Sequence, residues 1–177
     1  LDIGVVGSWS YAQEAQRRVH DLRGFGNPNG WDNQLHNELG VMLAYERTWR
    51  FPKITRRSGF DWEILPHVGG AAGNVKTYAN AGAELRFGLN LPDDFGTGVI
   101  GPATTTSTPV DGSMGADRSW FPLGMYAFAR MDGRAVGRNV FLDGNTFGSS
   151  HSVGHKLFVA DLSLAFALIY KNTKLAS

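Results

Sequence analysis

From residue 34 to residue 51 the odd positions carry Leu35, Leu39, Val41, Leu43, Tyr45, Trp49 and Phe51, and the even ones Gln34, His36, Glu38, Glu46, Thr48 and Arg50. Asn37 and Arg47 interrupt the apolar row. Successive side chains of a β-strand point to opposite faces, so the alternation predicts a strand with one apolar and one polar face. At ~3.3 Å per residue the run is far longer than the usual strand of ~5–6 residues. Residues 79–91 repeat the arrangement, with Ala81, Ala83, Leu85, Phe87, Leu89 and Leu91 against Asn80, Glu84, Arg86 and Asn90. A third run, 158–170, sets Phe158, Leu162, Leu164, Phe166, Leu168 and Tyr170 against Asp161, Ser163, Ala165 and Ala167. A fourth, 121–131, is mixed, with Leu123, Met125, Ala127, Ala129 and Met131 opposite Tyr126, Phe128 and Arg130.

Turn signals at 52–59, 69–74, 91–96 and 143–145 separate about seven strands, and the Gly-, Thr-, Ser- and Pro-rich stretch 97–117 reads as an extended surface loop. Long alternating strands with aromatic residues near their ends and charges of both signs on the second face suit an outer-membrane barrel: lipid outside, a hydrated lumen within. A soluble sandwich or barrel shares the period of two, and it would require the odd row of 34–51 to be buried. No stretch approaches the ~20 apolar residues of a membrane-crossing helix, which says nothing against strands. The charges of Glu46, Arg50, Glu84 and Arg86 on one face call for partners and predict an ion-pair network.

Composition narrows the classes further. Twenty-three glycines and 12% aromatic residues are too turn-rich for a helical bundle and too ordered for a disordered chain, which leaves an all-β fold. Seventeen basic residues against 16 acidic ones, without a like-charge block, argue against a nucleic-acid partner. The absence of cysteine excludes a disulfide framework, a thiolate metal site and a cysteine nucleophile together.

One segment departs from the period of two. Ser10 and Gln13 match a capping box, Gly24 is a natural helix stop, and between them Ala12, Ala15, Val19 and Leu22 recur at helical spacing. Such a helix between two strands can roof a cleft against the barrel wall. Gln13, Gln16, Arg17 and His20 line another face, and Gln16 and His20 stand one turn apart. His20 is a candidate general base with Gln16 orienting it or the substrate; the plainer reading is a solvated histidine at a helix C-terminus. His151 and His155 have a spacing found in some zinc sites, but a Gly/Ser loop without a third ligand makes that a chance pair.

Gln16-x-x-x-His20, Gly30-Trp31-Asp32-Asn33-Gln34-Leu35, Asn37-Glu38, Tyr45-Glu46-Arg47, Gly73-Asn74-Val75, Gly88-Leu89-Asn90-Leu91-Pro92 and Leu142-Asp143-Gly144-Asn145, in this order, resemble the outer-membrane lipid A 3'-O-deacylase family. The resemblance implies an antiparallel β-barrel in the bacterial outer membrane that hydrolyses the 3'-linked acyloxyacyl ester of lipid A with Ca²⁺. It implies His20 and Gln16 as catalytic residues, on a helix in an extracellular loop. Arg17, Arg18 and Arg23 would meet lipid A phosphates or serve only as solvated helix charges, and Trp31, Asp32, Asn33 and Gln34 would line the substrate side or serve only as the aromatic start of a strand. The family's remaining calcium and catalytic residues lie upstream of Leu1, and its loop glutamate falls where this sequence has Gly26 and Asn27. An odd strand count, where closed bacterial barrels are even-numbered, adds the expectation of a single barrel domain over 1–177, incomplete at both ends; the resemblance implies a monomer with lipid A or lipopolysaccharide as partner. The alternative is a non-catalytic outer-membrane barrel, structural or porin-like.

Overall fold

The computed structural model describes residues 1–26, 28–55, 60–96, 123–170 and 173–176. Eight strands form one sheet: β1 (Asp2–Val6), β2 (Glu38–Thr48), β3 (Ile54–Thr55), β4 (Phe60–Gly73), β5 (Lys76–Leu89), β6 (Leu123–Asn139), β7 (Phe158–Tyr170) and β8 (Thr173–Ala176). Their order is β1-β2-β4-β5-β6-β7-β8, with β3 paired to β4, so neighbours in sequence are neighbours in the sheet. The helices are α1 (Ala12–Arg23) and α2 (Val140–Asp143), and neither is long and apolar enough to cross a membrane.

The distribution of side chains is the reverse of a water-soluble protein. Leu39, Leu43 and Tyr45 on β2 and Leu162, Leu164 and Phe166 on β7 are exposed, the last three at 69–73%. Glu63, Glu84 and Arg86, at 1% or less, are among the most deeply buried residues. A soluble sandwich requires the odd row of β2 inside, and its exposure overturns that reading; apolar-out, polar-in strands are what surrounding hydrocarbon demands.

The chain clusters into two compact units. The first comprises Leu1–Ala44, Ala71–Tyr78 and Val136–Leu157. Here β1 pairs antiparallel with β2 from Asp2↔Met42 to Val6↔Glu38, α1 follows β1, and the α2 loop is tied back by Val140 N–H to Val75 O and Val153 N–H to Leu142 O.

The second comprises Tyr45–Gly70, Ala79–Ala135 and Phe158–Ser177. β6 and β7 pair from Leu123↔Tyr170 to Ala135↔Phe158, and β7 and β8 from Ala167↔Ala176 to Tyr170↔Thr173. A small apolar core of Leu91, Tyr126, Phe128, Ala167 and Ile169 sits beside a larger ionic one. The Arg86 guanidinium meets Glu84 at 2.6 Å, Asp94 at 2.6 Å and Glu63 at 3.2 Å, and lies over the Tyr126 ring. Arg50 pairs with Glu63 and Asp93, and Arg130 with Glu46. Of the expected network, Arg50, Glu84 and Arg86 are joined through Glu63, while Glu46 pairs separately with Arg130 and Asn80.

Several boundaries differ from the expectation. β2 starts at Glu38 rather than at 34, and just before it His36 and Asn37 bond to Asn145 and Trp9 instead of to a neighbouring strand. Residues 69–73, expected as a turn, are the end of the 14-residue β4; the reversal falls at Asn74 and Val75. The fourth run starts at Leu123 and continues to Asn139 as the 17-residue β6. The expected surface loop at 97–117 lies outside the described residues.

Candidate functional site

The residues singled out for chemistry lie in the first unit, on α1 and the segment that follows it. The helix begins without the expected capping box. Tyr11, in the left-handed region at φ 53°, occupies the cap position without a side-chain bond to the helix, and the Ser10 hydroxyl instead donates to Gly7 O at 2.7 Å. Ser10 is consumed by the preceding 3-10 turn, Ser8–Ser10, so its oxygen is turned away from the α1 amides.

The C-terminus follows the sequence. Gly24 takes φ 67°, where a side chain would be strained, its N–H donates to Asp21 O, and Phe25 N–H donates to His20 O at 2.9 Å. This reversal brings the Gly26 carbonyl back to His20 Nδ1 at 2.8 Å, with the Phe25 ring set edge-on to the imidazole. A carbonyl only accepts, so Nδ1 carries the hydrogen and the Nε2 lone pair of the neutral ring is left to take a proton.

Gln13 and His20 are half-buried while Gln16, Arg17, Arg18 and Arg23 are exposed. Gln16 and His20 share a face one turn apart, with Arg17 beside them. The expected apolar contact of the helix is not made: Val19 is 51% and Leu22 87% exposed, and α1 buries none of its residues. Trp31, Asp32 and Asn33 form a 3-10 turn started by Gly30 and closed by Gln34 N–H to Trp31 O at 3.3 Å. In it Trp31 and Gln34 are half-buried and Asp32 and Asn33 exposed. Asn27 lies outside the described residues.

A second cluster had no single local signal. Glu38, the first residue of β2 and 7% exposed, accepts from Asn74 Nδ2 at 2.9 Å, Asn145 Nδ2 at 3.1 Å, Thr146 N–H at 2.7 Å and Phe147 N–H at 3.3 Å. Asn145 also exchanges both of its amide groups with the backbone of His36, each at 2.8 Å. Asn74 joins in by donating to Leu39 O and accepting from Val41 N–H, and Arg138 reaches Asn74 O, Gly144 O and Thr146. Asn37-Glu38, Gly73-Asn74-Val75 and Leu142-Asp143-Gly144-Asn145 are separate motifs in the sequence and one assembly in space.

His155 does not pair with His151. Its Nδ1 lies 2.6 Å from Asp143, whose carboxylate also accepts from Asn139 N–H at 2.7 Å. The Asn139 backbone bond holds the Asp143 carboxyl below the usual carboxylate range; partial burial opposes this and His155 reinforces it. Among the described residues no group of three or more His, Asp or Glu side chains is placed to hold a metal ion.

Comparison with known proteins gives the frame for this geometry. The family model described as "Outer membrane protein LpxR" matches residues 1–177. No curated protein matches the chain at a significant level. Among solved structures it is similar to LpxR from Salmonella typhimurium, with 24% identity and a TM-score of 0.68 over 96% of this chain and 54% of that one. The chain thus spans about half the length of that structure, and the likeness gives the fold as an antiparallel outer-membrane β-barrel.

Proposed function

The chain belongs to the outer membrane protein LpxR family, whose place is the bacterial outer membrane, and on that premise we propose that it acts as a lipid A deacylase, hydrolysing the 3'-linked acyloxyacyl ester with His20 as general base. The observation that carries this reading is the bond from His20 Nδ1–H to Gly26 O, which fixes the tautomer and leaves Nε2 basic. Nε2 takes a proton from water as the water oxygen adds to the ester carbonyl. The tetrahedral intermediate then breaks its bond to the sugar oxygen. That oxygen recovers the proton from His20, giving a free fatty acid and a sugar hydroxyl.

Gln16, one turn earlier on the same face, is placed to orient the water or the ester through its carboxamide. Arg17 and Arg23, exposed on the same helix, suit lipid A phosphates because a guanidinium donates in a planar fork. Trp31, Asp32, Asn33 and Gln34 would supply the wall on the far side of the acyl chain. Lipopolysaccharide in the outer leaflet is then the partner, and a monomer suffices. Calcium belongs to the proposal by resemblance; among the described residues no group of three or more His, Asp or Glu side chains is placed to hold it.

The test is mass spectrometry of lipid A after incubation with the full-length protein in detergent. Loss of the 3' acyloxyacyl mass is expected, and His20→Ala should slow it by about 10²–10⁴-fold with the barrel intact. An arm with EDTA and calcium add-back tests the ion. Undiminished deacylation by His20→Ala removes that residue as the base; an unchanged lipid A spectrum from the folded wild type leaves the non-catalytic barrel.

A further inference from the structure

Helix α1 carries His20 yet buries none of its own residues, so packing of the helix does not hold it in place. The chain that carries it is instead tightly bonded where it leaves and rejoins the sheet. The last rung of the β1–β2 ladder is Val6↔Glu38. Just beyond it Gly7, at φ 82°, passes so close to the returning segment that a Cβ would stand 2.7 Å from Leu35 O and 2.8 Å from Asn37 N. Asn37 Oδ1 closes the same gap by accepting from Ser8 Oγ at 3.0 Å and Trp9 N–H at 2.9 Å.

The returning segment is held again at His36. The Asn145 carboxamide accepts from His36 N–H and donates to His36 O, as a peptide group of a neighbouring strand would, although the residue sits in a loop 109 positions away. Its Nδ2 is shared with Glu38, and Glu38 fixes the loop in turn through Thr146 and Phe147 N–H. Both groups of the Asn145 carboxamide are thus engaged, and Glu38 Oε2 gathers Asn145 Nδ2 together with the Thr146 and Phe147 N–H groups.

We infer that Asn145, backed by Glu38, is a positioning residue for His20: it locks the base of the α1 loop and through it the direction in which the imidazole is presented. As a statement about catalysis this rests on the deacylase reading; as a statement about the loop it stands on the bonds alone. A displacement of about 1 Å at a reacting group lowers turnover by up to about 100-fold without a comparable effect on substrate affinity.

The experiment compares wild type, Asn145→Ala and Asn145→Asp in the full-length protein, measuring kcat and KM for lipid A and hydrogen exchange of residues 12–23. Asn145→Asp retains an acceptor for His36 N–H but sets carboxylate oxygen against His36 O and Glu38. Both variants should lower kcat per folded barrel about 10- to 100-fold with KM within threefold, and speed exchange in α1 while β6 and β7 remain at wild-type rates. Wild-type kcat and wild-type α1 exchange in both variants would overturn the proposal. So would an activity loss that only tracks the folded fraction. If wild type itself leaves lipid A intact while Asn145→Ala loosens α1, the lock on the loop stands and the deacylase reading is what fails.

Discussion

Arg86 in the second unit and Glu38 in the first are both buried charged groups, 0% and 7% exposed, yet their partners differ in kind. Arg86 is surrounded by the carboxylates of Glu63, Glu84 and Asp94, two of them on strands. Glu38 is surrounded by donors, two side-chain amides and two backbone N–H groups, and three of the four belong to one loop. An ion pair between strand side chains fills the polar side of a sheet and tolerates small shifts, because Coulomb attraction varies slowly with distance. Directional bonds to backbone groups do not tolerate them, and so fix where a loop goes. Scaffold and site in this protein use different polar chemistry for that reason.

The largest expected effect lies on the ionic side. Arg86→Met withdraws the guanidinium from three buried carboxylates and should lower stability by about 3–5 kcal/mol, read from the urea midpoint in lipid vesicles. Adding Glu63→Gln and Glu84→Gln to that variant should recover most of the loss; if it does not, the network is not electrostatic in origin. Glu38→Ala comes second, at about 1–3 kcal/mol, since it strips an acceptor from donors that remain in place. It should release the Thr146 and Phe147 amides to exchange while the β6–β7 ladder is unaffected. Uniform protection losses across the protein would erase the contrast between the two regions.

The smallest effect concerns Asp143. Its carboxyl is held below its unfolded value of ~3.9, so its contribution to stability is complete above that value. It is lost as pH falls through the lower folded value. Asp143→Asn should therefore melt earlier than wild type at pH 7, and the two should converge in acid below about pH 4. A difference that persists unchanged into acid would mean that the ionised carboxylate, held first by the Asn139 N–H, is not the source of the stabilisation.

How much of this was legible depended on periodicity. The bounds of β7 coincide with the alternating run 158–170, and β5 differs from its run by three residues at the start and two at the end, since large apolar residues mark one face throughout. β4 was missed because Pro66 sits inside it and because Gly69, Gly70, Ala71, Ala72 and Gly73 read as a turn. Gly69 and Gly73 are required by space: a Cβ on Gly69 would meet Tyr45 O at 2.6 Å, and one on Gly73 would meet Val41 O.

The helix, its glycine stop and the Gln16/His20 pair were visible from spacing alone. The partner of His20 was not, because a backbone carbonyl leaves no trace in residue identity. Nor could Ser10 reveal that it would serve the turn before the helix. The Glu38 assembly joins positions 36, 107, 108 and 109 residues apart, beyond the reach of any local pattern.

Asn145 is also shielded chemically. Asparagine deamidates when the backbone nitrogen of the next residue attacks its side-chain carbonyl carbon and closes a five-membered imide. In this protein that nitrogen belongs to Thr146, and its N–H is engaged by Glu38 at 2.7 Å, while the Asn145 carboxamide is held on both sides by His36. Nucleophile and electrophile are each restrained away from ring closure. The bonds that set the loop therefore also protect its central amide from spontaneous ageing, and a protein that loses Glu38 would accumulate aspartate and isoaspartate at position 145 over time.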